Sequence, residues 1–291
     1  MSNLTFKTPR HLDDLAACLR EADDSTYLLG GGTDLVIRMR DRGIDRGTLI
    51  DLTGVAGLEA ITSDEDFIVI GANVTYSALG EHPLIIRRVP CLAQMASQVG
   101  SLQIRNMARI PGNLANASPA GDSTATLMAL GAQAHILDGK GEIRVLPVQE
   151  LVVGIGKTAL NRDDAIIRIA IPQPGPNQRS RYGKIGLGAR SQVVIANVSL
   201  TLVLDCSPGL DRIERARVVL GSAAPVAFHA VQAEALLQGR KPEPGLAREL
   251  AVVLEAQVEA SIKGVAMFQH KRNDIQGLAL DMCAGLFPGV C

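Results

Sequence analysis

The sequence has no tryptophan, three tyrosines and five phenylalanines, so aromatics make up only 3% of its 291 residues. Rows of stacking rings of the kind that grip single-stranded nucleic acid cannot be built from so few. Net charge is as scarce: Lys+Arg 29 against Asp+Glu 30 leaves −1, with no basic footprint for a polyanion. No run of about 18 apolar residues escapes interruption by a charge or turn former, which argues against a membrane span. The opening residues, MSNLTFK, lack the apolar core of a secretory signal. Five cysteines (Cys18, Cys91, Cys206, Cys283 and Cys291) are scattered and form no CxxC pair. Neither zinc nor iron–sulfur ligand spacing is present. The histidines His11, His82, His135, His229 and His270 are equally dispersed. The expectation is a neutral, aliphatic, cytoplasmic protein with buried thiols and no metal site of its own.

What is present is ordinary for a folded chain. Hydrophobic residues are 47% and charged residues 20%, and the length suits two domains. Up to Leu52 the pattern predicts a βαβ unit: a helix over His11–Glu21, a strand at Tyr27–Leu29, a helix over Leu35–Arg42 and a strand at Thr48–Leu52. Further on, a strand is expected over Phe67–Asn73, a helix over Leu84–Val99 and a short helix over Ser123–Leu130. A hairpin around Asp138–Gly141 and a strand over Ala165–Ile171 follow. Then Pro172–Gln178, PQPGPNQ, sets three prolines and a glycine in seven residues. Neither helix nor strand interior tolerates that. Domains are therefore expected at 1–176, subdivided near 1–55 and 56–176, and at 180–291. The second reads as strands at Ala196–Asp205 and Ile213–Leu220, then helices over Ala230–Leu237, Gly245–Ala260 and Ile275–Leu286, an α+β unit.

Two glycine-rich segments carry the chemical signal. In Gly30-Gly31-Gly32-Thr33-Asp34, between a predicted strand and helix, missing Cβ atoms let backbone amides close on an anion. The Rossmann fingerprint fails because Leu35 occupies its last glycine position, and no Gly-Lys-Ser/Thr follows for a Walker loop. Taken alone, the segment reads more readily as a tight turn with Thr33 or Asp34 capping the helix. The second segment is Gln103–Asp122, QIRNMARIPGNLANASPAGD. Its polar groups would be costly to bury unless a polar ligand met them. Alternatively it is a long ordered loop held by its own Asn and Ser side chains. Two such loops without a catalytic dyad point to an extended, phosphate-bearing cofactor.

GGGTDL at 30–35, LIDL at Leu49–Leu52 and the 103–122 segment, in that order, resemble the FAD-binding medium subunits of molybdenum hydroxylases. This is the family of bacterial xanthine dehydrogenase and carbon monoxide dehydrogenase. The resemblance covers essentially the whole chain. It implies an α+β fold, with a two-subdomain FAD-binding domain of the vanillyl-alcohol-oxidase/PCMH type and a small C-terminal α+β domain of antiparallel sheet and helices. It implies non-covalent FAD, its pyrophosphate on the amides of Leu29, Gly30, Gly31, Gly32, Thr33 and Asp34. Arg109, Ile110, Pro111, Gly112 and Asn113 would form the other half of that cradle. Asn116, Ser118 and Asp122 match polar contacts to the phosphates, ribose or adenine side. Leu28, Leu35, Val99 and Ile166 complete the cofactor-binding positions it implies. Lys184 matches a lysine approaching the flavin ring, where a cation would stabilise the anionic reduced form. Without the resemblance Lys184 reads equally as a solvated linker lysine.

The resemblance also implies a role in electron transfer, from iron–sulfur clusters of a partner to NAD or another acceptor. Molybdopterin and [2Fe-2S] clusters would sit only in a large and a small partner subunit, as a dimer of heterotrimers. Two departures stand out. Where the family has a small hydroxylic residue and a Gly-Gly pair, this chain has Arg109 and Pro111-Gly112. Pro111 removes one backbone donor, and the guanidinium of Arg109 can replace it. The alternatives are a free-standing flavin oxidase and an FAD-free scaffold that kept the fold. Neither glycine-rich segment holds the His or Cys that often links flavin in such oxidases.

Overall fold

Leu15, Ala16 and Leu19 form the buried face of the first helix, as their spacing predicts. The Asp14 carboxylate accepts the His11 N–H at 3.1 Å, closing the helix start. The structure, a computed structural model, describes residues 3–186, 198–262 and 270–289. Contacts gather the chain into two units. The first holds Met1–Ala78, Leu102–Ala117 and Gly131–Gln173, and the second Leu79–Ser101, Ser118–Leu130 and Pro174–Cys291.

In chain order the first unit opens with β1 (Asn3–Lys7), α1 (Leu12–Arg20), β2 (Thr26–Leu29), α2 (Leu35–Asp41), β3 (Arg46–Asp51), β4 (Ile61–Ser63) and β5 (Phe67–Gly71). After α3 (Tyr76–Glu81) the chain contributes α4 (Pro83–Arg88) and α5 (Pro90–Gln98) to the second unit. It returns with α6 (Leu102–Arg105) and α7 (Ile110–Asn116), and leaves again for α8 (Asp122–Ala129). The first unit closes with β6 (Gln133–Leu137), β7 (Ile143–Pro147), α9 (Val148–Leu151), β8 (Val152–Gly154), β9 (Lys157–Thr158) and β10 (Ala165–Pro172). The second closes with β11 (Gln178–Ile185), β12 (Val198–Cys206), β13 (Ile213–Gly221), β14 (Phe228–His229), α10 (Val231–Leu237), α11 (Leu246–Ser261) and α12 (His270–Leu286).

Within the first unit a parallel sheet, β1-β3-β2, contains the expected βαβ, and an antiparallel sheet runs β4-β5-β10-β6-β7. Leu15 and Leu19 of α1, Ile50 of β3, Leu137 of β6 and Ile167 of β10 share one core, so both sheets frame the same interior. In the second unit the antiparallel order is β11-β12-β13-β14. α5 and α8 contact this sheet, and α10 to α12 pack with it in one apolar core. β12 is therefore buried along nearly its whole length, Ser199 and Thr201 included, with only Asp205 partly exposed. The fold is α+β.

Three local readings need correction. The single helix expected over Leu84–Val99 is two, α4 and α5, broken at Val89 (φ −137°, ψ 60°). Pro90 follows, and a proline drives the residue before it out of the helical region. The 103–122 segment is not one long loop, because α6, α7 and the start of α8 lie in it. Pro111 and Gly112 mimic a loop but sit in the first turn of α7, where a proline breaks no intrahelical bond. Gln178–Ile185, to which the sequence assigns no element, is strand β11. Ala196 and Asn197, the first residues of the expected 196–205 strand, lie outside the described residues, as does Cys291.

Candidate functional site

Gly31 explains how the two glycine-rich segments meet. A Cβ built there would stand 1.9 Å from the Met107 carbonyl oxygen and 2.9 Å from Ala108 Cα. Only glycine permits that approach. Gly32 beside it takes φ +71° to turn the chain into α2. Asp34 stands at the N-cap of α2 but its side chain accepts no capping bond, so the capping reading fails for it. On the other segment Arg109 is extended and bridges to Thr75, while the Tyr76 N–H donates to the Ala108 carbonyl at 3.1 Å.

The Arg109 guanidinium ties these strands of backbone together. Nη1 donates to the Met107 carbonyl at 2.7 Å, and Nε to the Asn73 carbonyl at 3.2 Å. Burial pushes the Arg109 pKa down, and the charge of Asp51 opposes that. Around this strap lies a pocket. Of the expected residues it is lined by Leu28, Gly30, Arg109, Pro111, Gly112 and Ile166. Sequence reasoning missed its other walls: Leu52, Ala72, Asn73, Ala115, Leu160 and Asp164. Leu52 ends the LIDL motif and Ala115 lies in the 103–122 segment, but no residue-type pattern marks Ala72, Asn73, Leu160 or Asp164 in the sequence. A Cβ at Gly112 would meet nothing within 4 Å, so this stretch of the rim is open.

Two pocket residues hold buried acceptors without donors, Asn73 Oδ1 and Asp164 Oδ1. Asn113 Oδ1, on α7, is a third such atom in the unit. Buried polar atoms are nearly always hydrogen-bonded, so an orphan set beside a pocket needs an explanation. Ile110 by contrast is buried at 1% exposure as a core residue. Asn116 accepts from Arg38, and with Arg38 and Asp34 it lines a separate surface depression. Leu29, Thr33 and Leu35 are half-buried in and after the turn.

The remaining expected residues belong to the second unit. Val99 ends α5 in an extended conformation, and the Ser118 hydroxyl accepts from the Ala120 N–H at 3.2 Å. Asp122, in the first turn of α8, is 5% exposed. Its Oδ1 accepts from the Tyr182 hydroxyl at 2.7 Å and its Oδ2 from Lys184 Nζ at 2.8 Å. Lys184 also donates to the Gln98 carbonyl at 3.3 Å. It is no solvated linker lysine. Its side chain is 11% exposed, on the same face of β11 as Tyr182.

Residues 2–174 match the family described as the FAD binding domain in molybdopterin dehydrogenase. The chain belongs to that family. Residues 187–283 match the CO dehydrogenase flavoprotein C-terminal domain. The nicotinate dehydrogenase FAD-subunit of Eubacterium barkeri is 33% identical to this chain over 189 residues, 64% of each chain. The match thus spans slightly under two thirds of that relative. The nicotine 6-hydroxylase medium subunit of Paenarthrobacter nicotinovorans is 27% identical over 269 residues, 92% of each chain. In fold, the chain superposes on a chain of carbon monoxide dehydrogenase from Hydrogenophaga pseudoflava with a TM-score of 0.83, at 22% identity. That superposition covers 98% of this chain and 96% of that one.

The first-unit pocket suits part of such a cofactor. Leu28, Leu52 and Ile166 give apolar walls for a ring, Gly30 leaves backbone open, and Arg109 brings a cation. The orphan acceptors of Asn73 and Asp164 ask for a ligand that carries hydrogens. FAD has all three features.

Proposed function

We propose that the chain is the non-covalent FAD-carrying, electron-transfer subunit of a molybdenum-containing dehydrogenase. One observation carries this reading: a pocket with a cation and buried unpaired acceptors opens where the two glycine-rich segments touch, inside the stretch that matches the FAD-binding family. FAD supplies one- and two-electron redox chemistry when bound. The protein's part is holding and tuning. Backbone amides from Leu29 to Asp34 and from Ile110 and Gly112 would hold the pyrophosphate, with Asn113 contributing through its side chain because its N–H already donates to the Arg109 carbonyl at 3.2 Å. Arg109 commits Nε and Nη1 to protein carbonyls, which leaves Nη2 for an anion in place of the donor Pro111 lacks. Leu28, Leu35, Val99 and Ile166 would pack on the cofactor, and Asn116, Ser118 and Asp122 would supply polar contacts. Lys184, fixed by Asp122, would lend positive charge to the flavin edge.

Electrons would enter from iron–sulfur clusters of a small partner subunit, fed by a large molybdopterin subunit, and leave to NAD or another acceptor. The names of two relatives, an FAD-subunit and a medium subunit, support a multi-subunit assembly, here a dimer of heterotrimers. No helix among the described residues is long and apolar enough to cross a membrane. Cys91 and Cys206 are buried thiols, and burial raises both pKa values, that of Cys91 to about 12. This suits work in the reducing cytoplasm. The test is the purified chain itself. It should show the visible absorption bands of oxidised flavin, and acid should release FAD. A chain that stays colourless after incubation with FAD, or that releases mainly FMN, refutes the reading.

A further inference from the structure

The orphan acceptors of the first-unit pocket identify the end of the cofactor that enters it. The Asp164 side chain is fully enclosed. Its Oδ2 accepts from Arg144 Nη2 at 2.6 Å and from the Asn161 N–H at 2.6 Å, which fixes the plane of the carboxylate. Its Oδ1 has no donor. Asn73 is fixed likewise, because its Nδ2 donates to the Leu52 carbonyl at 2.8 Å while its Oδ1 is left unmet. Beside these acceptors the pocket presents the aliphatic side chains of Leu28, Leu52 and Ile166. A flat apolar ring with hydrogens at its edge satisfies both features. The two ring systems of FAD differ there. The flavin edge offers one N–H flanked by two carbonyl oxygens, whose lone pairs a carboxylate repels. The adenine edge offers an exocyclic amine with two hydrogens.

We propose that this pocket receives the adenine of FAD and that Asp164 Oδ1 accepts a hydrogen from its 6-amino group. Asp164 is then a specificity-determining residue that selects a 6-aminopurine over a 6-oxopurine. The proposal rests on the FAD reading above and deepens it. A 6-oxopurine turns an oxygen toward the carboxylate, and two facing buried acceptors are worse than one left unpaired.

The test uses the full chain stripped of cofactor, titrated by flavin fluorescence with FAD and with its deaminated analogue, which carries hypoxanthine in place of adenine. The wild type should bind FAD about tenfold or more tighter than the analogue. In Asp164→Asn the amide oxygen stays with the Arg144 and Asn161 donors, so the amide NH2 replaces Oδ1. That variant should lose about tenfold in FAD affinity and gain on the analogue, reversing or abolishing the preference. Equal wild-type binding of the two dinucleotides overturns the proposal and needs no variant to fold. So does a folded Asp164→Asn protein that keeps the wild-type preference. Failure of the wild type to bind FAD at all is a different outcome, because it overturns the cofactor reading itself.

Discussion

Replacing Lys184 by methionine would remove the cation from a buried pair in the second unit. Lys184 and Asp122 meet at 2.8 Å with side chains 11% and 7% exposed, so solvent screens little of the interaction. The variant leaves the Asp122 carboxylate enclosed with the Tyr182 hydroxyl on its other oxygen. It also strips the Gln98 carbonyl of the Lys184 donor. Breaking a buried pair by deleting one partner costs about 3–5 kcal/mol, because a desolvated charge is left behind. Tyr182 shares the load, which puts the expectation near about 3 kcal/mol. For a unit the size of the second one, unfolding on its own, that corresponds to a fall in Tm of roughly 6–12 °C. Urea unfolding gives the free energy directly, and the double variant Lys184→Met with Asp122→Asn isolates the pair. The double variant should recover part of the loss, since no uncompensated carboxylate is left. A single variant within about 0.5 kcal/mol of the wild type would refute the reasoning. Lys184 would then contribute nothing through Asp122, whatever it does at the flavin.

Two further predictions follow from the first unit. Gly31→Ala must drive the Met107 carbonyl away from a Cβ that would lie 1.9 Å from it, so both Tm and bound flavin should drop. Gly112→Ala meets nothing within 4 Å and should leave Tm unchanged or raise it, the gain in stability being at most about 1 kcal/mol of helix propensity. Calorimetry with flavin absorbance separates them, and a Gly31→Ala protein with wild-type Tm would count against the contact. Burial first, and then the Arg168 charge, hold the His135 pKa below its ordinary 6.5. The unfolded chain therefore binds this proton at a higher pH than the folded one. Stability should be full above pH 6.5 and decline as pH falls through the interval below it. His135→Gln should flatten that decline in urea midpoints measured on either side of the interval, and an unchanged slope would remove His135 from the account.

Much of the fold was legible because its signals are short-range. Leu15, Ala16 and Leu19 mark the inner face of α1, and the three glycines mark a turn whatever surrounds them. The Asp138–Gly141 hairpin is as local: the Asp138 carboxylate accepts from the N–H groups of Lys140 and Glu142. Where local chemistry was ambiguous the reading went astray. QRSRYGKI has too few apolar residues to announce a strand, and β11 exists because β12 offers it eight paired residues. Pro111-Gly112 looks like a loop until its place in the first turn of α7 is known.

The amino-acid sequence by itself determined the class of fold, the two glycine-rich segments and the family they belong to, since those depend on residue types within a few positions of one another. Only the tertiary structure decided what those residues touch. That Gly31 lies against Met107 depends on how two distant segments pack, and so does the pairing of Lys184 with Asp122, 62 positions away. That Asp164 keeps one oxygen without a donor is likewise a property of its neighbours, Arg144 and Asn161, rather than of aspartate. Side-chain partners are chosen by packing at the end of folding, and no periodicity along the chain encodes them.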